Sequence, residues 1–432
     1  MKNFRKTTVV TTVLVLSTIA LTYCTKNDQV VNTGTTASTT VLTAYKTSTA
    51  PVIDGTVDAS WVNATKLAVS PTVPDPGNGL FAGYIGEIYP ATLRCMYDAQ
   101  YIYFLAEWTD PTKSVAITPW YFDPTSHRWA QEPSSRSYDA NGVLVRDGWG
   151  EDKLAMLWNI DHSTPKFETL TCYASCHVFT PYKNYAGAWV PNASGNHYTN
   201  GANEKIDMWW LHLSKDEVFS QFDDNYQDWA GGPSVTDTVG GNGNGRHLDG
   251  QTPPVPFSSS YNSPANGGSI NNRQSLKITG TSTSVNVPTW IIPDASNYNY
   301  ILATDTLTGG KAAKITAVDA NGVLTYNGGT IDPNVGTDYL QVAGIYGGDG
   351  PKCFPSFIAS PLMNGRADIT SVAVYTGTGW IVEYKRLLKT TDALKQDIDF
   401  SKLDDQPFGM AIWNKSNNQH GIQPGLTLHF QQ

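Results

Sequence analysis

Short runs of alternating polar and apolar residues near both ends of the chain constrain the fold more than any other feature. Such runs occur at 91–97, 101–108, 369–375, 380–384, 408–413 and 426–430. The first two flank a turn at 98–100 and the next two flank a Thr/Gly turn, so each pair predicts a β-hairpin. Strands at both ends, with long irregular stretches between them, predict one β-sandwich with insertions in its loops.

Composition favours an exported all-β protein. Charged residues make up only 16% of the 432 residues, whereas Gly (38), Pro (25), Tyr (22) and Trp (13) are plentiful. Helical periodicity is restricted to short pieces near 214–222 and 392–397. The Gly/Asn/Pro/Ser-rich region at about 231–349 reads as a loop-rich insertion, with a small separate β-subdomain as the alternative.

The N-terminus resembles an export signal. A basic start is followed by an uncharged run at 7–23, which is short and Thr-rich for a membrane span. We therefore predict a signal peptide over 1–23 and a lipidated mature N-terminus at Cys24, with ordinary signal cleavage as the alternative, since Tyr23 is larger than usual before such a cysteine. A Thr/Ser/Asn-rich tether over 24–45 would then precede a domain over 46–432. The expected location is periplasmic, or anchored at the outer membrane as a lipoprotein.

Net charge argues against nucleic acid as a partner. The formal charge is −9, and removing Lys2, Arg5 and Lys6 with the signal takes it to −12. Proteins that neutralise phosphates carry basic patches, and the sequence has no basic run.

The strongest chemical signal is at residues 172–177, which read Cys-Tyr-Ala-Ser-Cys-His. Two cysteines followed directly by a histidine are the pattern that attaches a c-type haem, although two residues usually separate the cysteines and here there are three. Cys172 and Cys176 would bind one covalent haem, and His177 would coordinate its iron. The apolar run at 154–158 before the motif predicts a buried strand that can wall such a site.

Other interpretations of this segment remain open. A disulfide between Cys172 and Cys176 would close a very small loop, and the spacing could also arise by chance in a chain with five cysteines. A zinc site would require a second Cys/His cluster with ligand spacing, which the sequence lacks.

Several stretches taken in order resemble the haem-binding domain of the ethylbenzene dehydrogenase γ subunit and related haem subunits of molybdoenzymes, most closely a c-type branch. The resemblance covers most of the chain from about residue 45. The stretches that carry it are 51–61, 101–110, 151–158, the cysteine–histidine motif, 197–199, 204–210, 223–226, 365–369 and 379–383. Only the cysteine–histidine motif is specific by itself.

The resemblance implies an immunoglobulin-like or DOMON-like β-sandwich that holds one haem and relays electrons. Partners would be another redox protein, such as a molybdoenzyme or a cytochrome, and catalysis would belong to the partner. The b-type members use methionine and lysine as axial ligands, and here His177 would replace the methionine. The DGxxDxxW pattern at 54–61 also occurs in carbohydrate-binding sandwiches, so it indicates fold more than function.

A second axial ligand is expected from the polar loop at 414–421, where His420 is the first choice. His197 is the alternative. Met156 and Met208 offer thioether sulfur but fit core positions better. Other residues considered for haem packing, propionate pairing or disulfide formation are Trp158, Trp209 and Trp210, Arg366 and Arg386, and the pair Cys95 and Cys353.

The predicted function is therefore a lipid-anchored electron-transfer cytochrome that is not itself an enzyme. The main alternative is a lipid-anchored carbohydrate-binding sandwich without haem, suggested by the DGxxDxxW pattern and thirteen tryptophans. A haem enzyme with an open iron position, such as a peroxidase-like protein, is the third reading.

Overall fold

Strands dominate the computed structural model of the chain. It describes residues 40–77, 79–176, 182–183, 189–190, 197–199, 201, 203–228, 245–250, 255–256, 267–293, 299–334 and 353–432. Within these ranges the one α-helix is α1 (Phe167–Leu170), and no helix is long and apolar enough to cross a bilayer. Short 3₁₀ turns occur at Ala59–Asn63, Ile160–His162, Thr171–Ala174, Glu217–Phe219, Ala303–Thr306 and Asn364–Ala367.

The strands of the described ranges follow in chain order. The N-terminal third holds β1 (Val41–Lys46), β2 (Leu67–Val69), β3 (Ala91–Tyr97), β4 (Tyr101–Thr109), β5 (Trp120–Asp123), β6 (Arg128–Gln131), β7 (Ser137–Tyr138), β8 (Leu144–Arg146) and β9 (Glu151–Asn159). The middle holds β10 (Tyr182–Lys183), β11 (Trp189–Val190), β12 (Ile206–His212), β13 (Gln221–Gln227), β14 (Arg246–Leu248), β15 (Val255–Pro256), β16 (Gly268–Asn271), β17 (Gln274–Lys277), β18 (Ser284–Val287), β19 (Trp290–Ile291), β20 (Ile301–Leu302), β21 (Ala313–Val318), β22 (Leu324–Tyr326) and β23 (Gly329–Ile331). The C-terminal part holds β24 (Cys353–Phe354), β25 (Phe357–Ser360), β26 (Ile369–Tyr375), β27 (Gly379–Leu387), β28 (Gln406–Ser416) and β29 (Gly421–Phe430).

Ten of these strands close into a ring. Their order is β12-β9-β28-β29-β1-β3-β4-β27-β26-β13, and β13 pairs back onto β12. Closure leaves these strands without unpaired edges, which would otherwise expose backbone hydrogen-bonding groups. The predicted all-β sandwich with few short helices is confirmed, and both predicted hairpins form, as β3–β4 and β26–β27.

Turn chemistry fixes the register of the β3–β4 hairpin. Asp98 Oδ1 accepts the backbone N–H groups of Gln100 (2.7 Å) and Tyr101 (2.8 Å), and the Tyr103 hydroxyl donates to Oδ2 at 2.6 Å. An aspartate that accepts a hydrogen bond from the backbone N–H two residues further along the chain stabilises a tight turn. Because side chains alternate along a strand, this register directs Phe104 and every second neighbour in β4 inward.

Aromatic side chains fill the interior of the ring of strands. Trp158 of β9 stacks on Phe408 of β28 with ring centroids 4.8 Å apart and lies 5.1 Å from Trp209 of β12. Phe104 stacks on Tyr384 at 5.1 Å. Such pairs add about 0.5–1.5 kcal/mol each beyond their area burial. Trp158 and Trp209 are therefore core residues of the sandwich.

The boundary between tether and domain lies earlier than the sequence suggested. Residues 41–45, assigned to the tether, belong to β1, which pairs in parallel with both β29 and β3. Leu42 and Ala44 are fully buried, so alternate residues of this segment face the core. The tether was extended too far from the polar stretch before it, because 41–45 reads Val-Leu-Thr-Ala-Tyr, whose residues suit a strand.

Glu383 on β27 anchors the opening DGxxDxxW segment. Its Oε1 accepts the indole N–H of Trp61 at 2.8 Å, and its Oε2 accepts the backbone N–H groups of Gly55 (2.8 Å) and Asp54 (3.1 Å). Gly55 has φ +80°, and a Cβ there would lie 2.3 Å from Val374 Cγ2, so the glycine is required sterically. Trp61 is fully buried, and the pattern therefore serves the fold.

The insertion at about 231–349 contributes to a second, smaller core in its described part. Strands β17–β19 and β21–β23 pack with β5, β6 and β24 around residues that include Trp120, Trp129 and Ile315. The Trp120 and Trp129 indoles donate to the Asn272 carbonyl (2.9 Å) and the Gly322 carbonyl (2.8 Å). These contacts support the small β-subdomain that the sequence left as an alternative.

Two other sequence interpretations differ from the structure. No disulfide joins Cys95 and Cys353, because Cys95 lies in β3 of the main core and Cys353 in β24 beside the second core. The helix suggested near 392–397 does not form. The Asp392 carboxylate instead accepts the backbone N–H groups of Leu394, Gln396 and Asp397, which competes with helical hydrogen bonding. The other piece, near 214–222, contains the 3₁₀ turn Glu217–Phe219.

Replacing Glu383 tests whether its carboxylate anchors the DGxxDxxW segment at 54–61. We expect Glu383→Ala to lower the free energy of unfolding by about 3 kcal/mol, because three N–H groups lose their buried acceptor. Urea denaturation measures the change. Glu107→Ala is the control. It removes a partly exposed carboxylate on β4, the strand next to β27, that pairs with Lys66, and it should cost about 1 kcal/mol or less. Equal losses would contradict the anchoring role.

Candidate functional site

The wall strand of the site is β9, the apolar run predicted before the cysteine motif. Its residues alternate between two surroundings: Met156 and Trp158 are in the core, whereas Ala155 and Leu157 line a cavity on the opposite face. The neighbouring strand β12 repeats the pattern, with Trp209 in the core and Met208 and Trp210 at the cavity.

The cysteine segment forms a single helical turn beside this wall. The backbone N–H of Cys176 donates to the carbonyl of Cys172 at 3.2 Å, a bond between residues four apart. Residues at i and i+4 of such a turn lie on one face. The third spacer residue, unusual in the sequence, therefore lets both thiols line the same cavity.

Glycine 409 allows Cys172 to approach β28. A Cβ atom added to Gly409 would lie 3.2 Å from the Cys172 sulfur, so a larger residue would displace the thiol. Burial, and next the nearby Cys176, raise the pKa of the Cys172 thiol to about 12. The free thiol is therefore protonated at neutral pH and does not act as an activated catalytic nucleophile.

The cavity between these elements has about 1070 Å³ of space that no protein atom fills, including its opening to solvent. Its lining is mostly apolar, with a few polar groups. It consists of Leu80, Phe81, Ala155, Leu157, Cys172, Cys176, His197, Met208, Trp210, Gln227, Arg246, Gly409, Met410, Ala411, Trp413, Asn417, Asn418, His420 and Ile422. A large apolar pocket with a small number of polar side chains is typical of cofactor sites.

His420, which the sequence suggested as the second axial ligand, lines this cavity. Its ring stacks on Trp413 with centroids 4.3 Å apart and packs edge-on to Phe81 at 5.3 Å. Nδ1 lies 2.6 Å from the carbonyl oxygen of Asn418, so Nδ1 carries the hydrogen and Nε2 keeps its lone pair. A metal-binding histidine is commonly held in this way, through a hydrogen bond from its other nitrogen to a carbonyl.

Desolvation of this half-buried side chain also keeps His420 neutral. Desolvation lowers the pKa of its imidazole to about 4, whereas protonation would remove the lone pair that coordinates a metal. The loop that carries it is held at three points. Lys153 Nζ donates to the Asn417 carbonyl at 2.8 Å, the Gln419 amide donates to the Leu80 carbonyl at 3.1 Å, and the Ser416 hydroxyl donates to the Gln419 carbonyl.

The alternative ligands have different surroundings. His197 also lines the cavity, and its backbone forms a β-bridge with Cys176. The sulfur of Met208 accepts a hydrogen bond from the Gln227 amide at 3.3 Å, and that of Met156 accepts the Tyr384 hydroxyl at 2.8 Å inside the core. His177 lies outside the described residues, as does Cys24.

Two arginines considered for propionate pairing are engaged elsewhere. Arg366 forms a bidentate pair with Asp223 at 2.6 and 2.7 Å, and Arg386 pairs with aspartates on the core side of β12 and β13. Both are buried, so they are not surface ion pairs, and neither of them lines the cavity. Sequence reasoning missed Arg246 of β14, which lines the cavity and lies 5.8 Å from the Trp210 ring. Its Gly/Asn-rich surroundings gave no motif that could reveal it.

Comparison with known proteins identifies a family. The family model described as ethylbenzene dehydrogenase matches residues 58–424. No curated protein matches the chain. Solved structures that match include a carbohydrate binding module family 9 from Caldicellulosiruptor kristjanssonii in complex with glucose, at 9% identity and TM-score 0.26, over 90% of this chain and 95% of that one. The same module in complex with cellotriose matches at 9% and 0.27, over 90% and 93%. Similarity at this level says nothing about what this chain binds.

The depressed pKa of His420 predicts a pH dependence in the haem-free protein. The unfolded chain takes up a proton on this histidine near pH 6.5, whereas the folded chain does so only near pH 4. The contribution of the neutral ring to stability is thus constant above about pH 6.5 and is lost as pH falls towards 4.

We therefore expect the free energy of unfolding, measured with urea, to fall more steeply between pH 6.5 and 4.5 for the wild type than for His420→Phe. At pH 8 the imidazole is neutral in both the folded and the unfolded wild type. The difference in unfolding free energy between wild type and His420→Phe at that pH therefore measures the effect of the changed side-chain shape alone. Parallel profiles at all pH values would contradict the assignment.

Proposed function

The chain belongs to the ethylbenzene dehydrogenase family, and from that premise we propose that it is an exported c-type cytochrome. In this proposal Cys172 and Cys176 bind one haem covalently, and His177 and His420 are its axial ligands. The protein passes single electrons to or from a redox partner, either a molybdoenzyme or another cytochrome. It has no catalytic residue of its own, and reaction chemistry belongs to the partner.

The observation that carries the proposal is that both cysteines and His420 line one cavity. Cys176 and His420 lie more than 240 residues apart in the sequence, and the cavity forms only because β9 pairs directly with β28. A small disulfide loop or a chance pair of cysteines would not require a distant, neutral histidine at the same cavity.

The donor set suits a haem in its chemical types. Thiols can add to the vinyl groups of the porphyrin, and a neutral imidazole is a common iron ligand. When bound, the haem supplies an iron that accepts and releases one electron. The residues of the chain hold that group, keep His420 unprotonated and restrict water through Leu157, Trp413 and Ile422.

Arg246 is the residue that we assign to a propionate. Among the described residues that line the cavity, Arg246 is the one arginine, and there is no lysine. Burial lowers the pKa of its guanidinium to about 10, which still leaves it charged at neutral pH. A guanidinium offers paired N–H groups that match a carboxylate. A buried positive charge would also help to set the potential of a nearby redox group.

The carbohydrate-binding alternative has less support. The described tryptophan side chains are buried or partly buried, and Trp61 of the DGxxDxxW pattern is hydrogen-bonded inside the fold. A sugar platform requires exposed aromatic faces. A haem enzyme with an open iron position would require His420 to remain uncoordinated.

Export and lipid anchoring remain part of the proposal. The signal-like segment and Cys24 support them from the sequence alone. The described domain begins with β1, and a tether before it would let the domain stand away from a membrane surface.

Expression with a c-type maturation system tests the haem assignment. We expect a pyridine haemochrome spectrum of covalent haem, at one haem per chain, and its loss in the double variant Cys172→Ser/Cys176→Ser. Cys95→Ala and Cys353→Ala are matched controls, because these thiols lie outside the cavity, and both should keep the haem. Absence of covalent haem in the wild type would overturn the proposal.

The ligand assignment is tested separately. We expect a low-spin spectrum in the wild type and a high-spin spectrum in His420→Ala, because loss of a strong-field imidazole opens one iron position. His197→Ala is the matched control from the same cavity and should stay low-spin. The reverse result would make His197 the ligand and leave the covalent attachment intact.

Membrane fractionation tests the anchor. We expect the wild type in the membrane fraction and Cys24→Ala in the soluble fraction, because the variant lacks the residue that carries lipid. Haem content should be the same in both. Membrane association that persists in Cys24→Ala would count against lipidation.

A further inference from the structure

A cluster of buried carboxylates lies on the core side of β12 and β13, on the opposite face from the cavity. It consists of Asp207 on β12, Asp224 on β13 and Asp397 in the segment between β27 and β28, and we call it the aspartate cluster. One carboxylate oxygen from each residue lies within 4.8 Å of the others. Asp207 and Asp224 are fully buried, and Asp397 is 8% exposed.

One guanidinium faces these three carboxylates. Arg386 Nη1 donates to Asp207 Oδ2 at 2.8 Å and to Asp224 Oδ2 at 3.3 Å, and it lies 3.9 Å from Asp397 Oδ1. Three ionised carboxylates and one arginine leave a net charge of −2 in the protein interior. Asp249 is also buried and lies beside Asp397, so its carboxylate would add further negative charge. Charges buried without compensation cost several kcal/mol each.

One oxygen of each carboxylate makes no hydrogen bond. Asp207 Oδ1, Asp224 Oδ1 and Asp397 Oδ1 are inaccessible to solvent and make no hydrogen bond. The other oxygens of the cluster are occupied: Asp207 Oδ2 also accepts the Ile398 N–H at 2.8 Å, and Asp397 Oδ2 accepts the Thr390 hydroxyl. Buried polar atoms in folded proteins nearly always have a partner, so three such oxygens in one place call for a ligand.

We propose that the aspartate cluster binds one divalent cation of the calcium class. Two oxygens on one Ca²⁺ lie at most about 5 Å apart, given Ca–O distances of about 2.3–2.6 Å, and the spacing within the cluster satisfies this limit. An all-oxygen donor set does not suit zinc, which prefers nitrogen and sulfur. Magnesium usually keeps several waters, for which a site buried this deeply is poorly suited.

The cation would join two parts of the chain. Asp207 and Asp224 belong to the ring of strands, whereas Asp397 belongs to the covering segment 388–405, which contacts the ring through Ile398 and Phe400. Binding would neutralise the net charge of −2 and fix this segment against the main core.

The competing arrangement has no metal. There the carboxyls would share protons, because burial and the neighbouring acids raise the pKa of Asp224 well above its usual range.

Metal content and stability of the full chain distinguish these arrangements. We expect the protein, dialysed against micromolar Ca²⁺ and then passed through a desalting column, to retain about one Ca²⁺ per chain by elemental analysis. Chelation with EGTA should lower its unfolding midpoint, and Ca²⁺ should restore it where equal Mg²⁺ does not. Tb³⁺ in place of Ca²⁺ should luminesce on tryptophan excitation, because Trp209 lies 4.9 Å from the Arg386 guanidinium.

Two conservative variants on one segment form a matched pair. Asp397→Asn keeps the side-chain shape and should weaken Ca²⁺ binding about tenfold or more. Asp399→Asn, two residues away and paired with Lys389, should leave binding unchanged. Wild-type protein that retains no Ca²⁺ and shows no shift of its unfolding midpoint up to millimolar Ca²⁺ would overturn the proposal in favour of shared protons. Equal weakening by both variants would also overturn it.

Discussion

The pairing of β12 with both β9 and β13 is the constraint on which the rest of the structure depends. It closes the ring of ten strands, and it gives β12 two different faces. Since side chains alternate along a strand, Asp207 and Trp209 point into the core while Met208 and Trp210 point into the cavity. The aspartate cluster and the cavity therefore lie on opposite faces of one strand, and a register slip of one residue would exchange them.

Much of this arrangement could be predicted where local rules decide it. The hairpins followed from alternation and turn residues, and the wall strand at 154–158 followed from its apolar run. The place of His420 in a loop between two closing strands also followed from the sequence. The composition rule failed at 41–45, because the polar stretch before this segment was extended into residues that belong to β1. The helix at 392–397 failed because Asp392 captures the backbone N–H groups that a helix would have used.

What could not be predicted depends on long-range placement. Arg246 had no motif, and only the fold brings it beside Trp210. Arg366 and Arg386 are common residues at ordinary positions in the sequence, and their burial against aspartates depends on the pairing of β13 with β12 and β26. The unusual cysteine spacing, by contrast, is explained by a local contact. The hydrogen bond from the Cys176 N–H to the Cys172 carbonyl closes a helical turn that contains the three spacer residues.

The parallel insertion of β1 between β29 and β3 has a consequence for the order of folding. The ring cannot close until β29, the last strand, is in place, and the loop with His420 belongs to that final hairpin. Contacts over nearly the whole length of a chain are slow to form, because a long loop must be ordered before any pairing stabilises it. The turn with Cys172 and Cys176 is complete within five residues. Under the proposed function, attachment to the cysteines can thus precede closure, and the second ligand then arrives as the hairpin encloses the site.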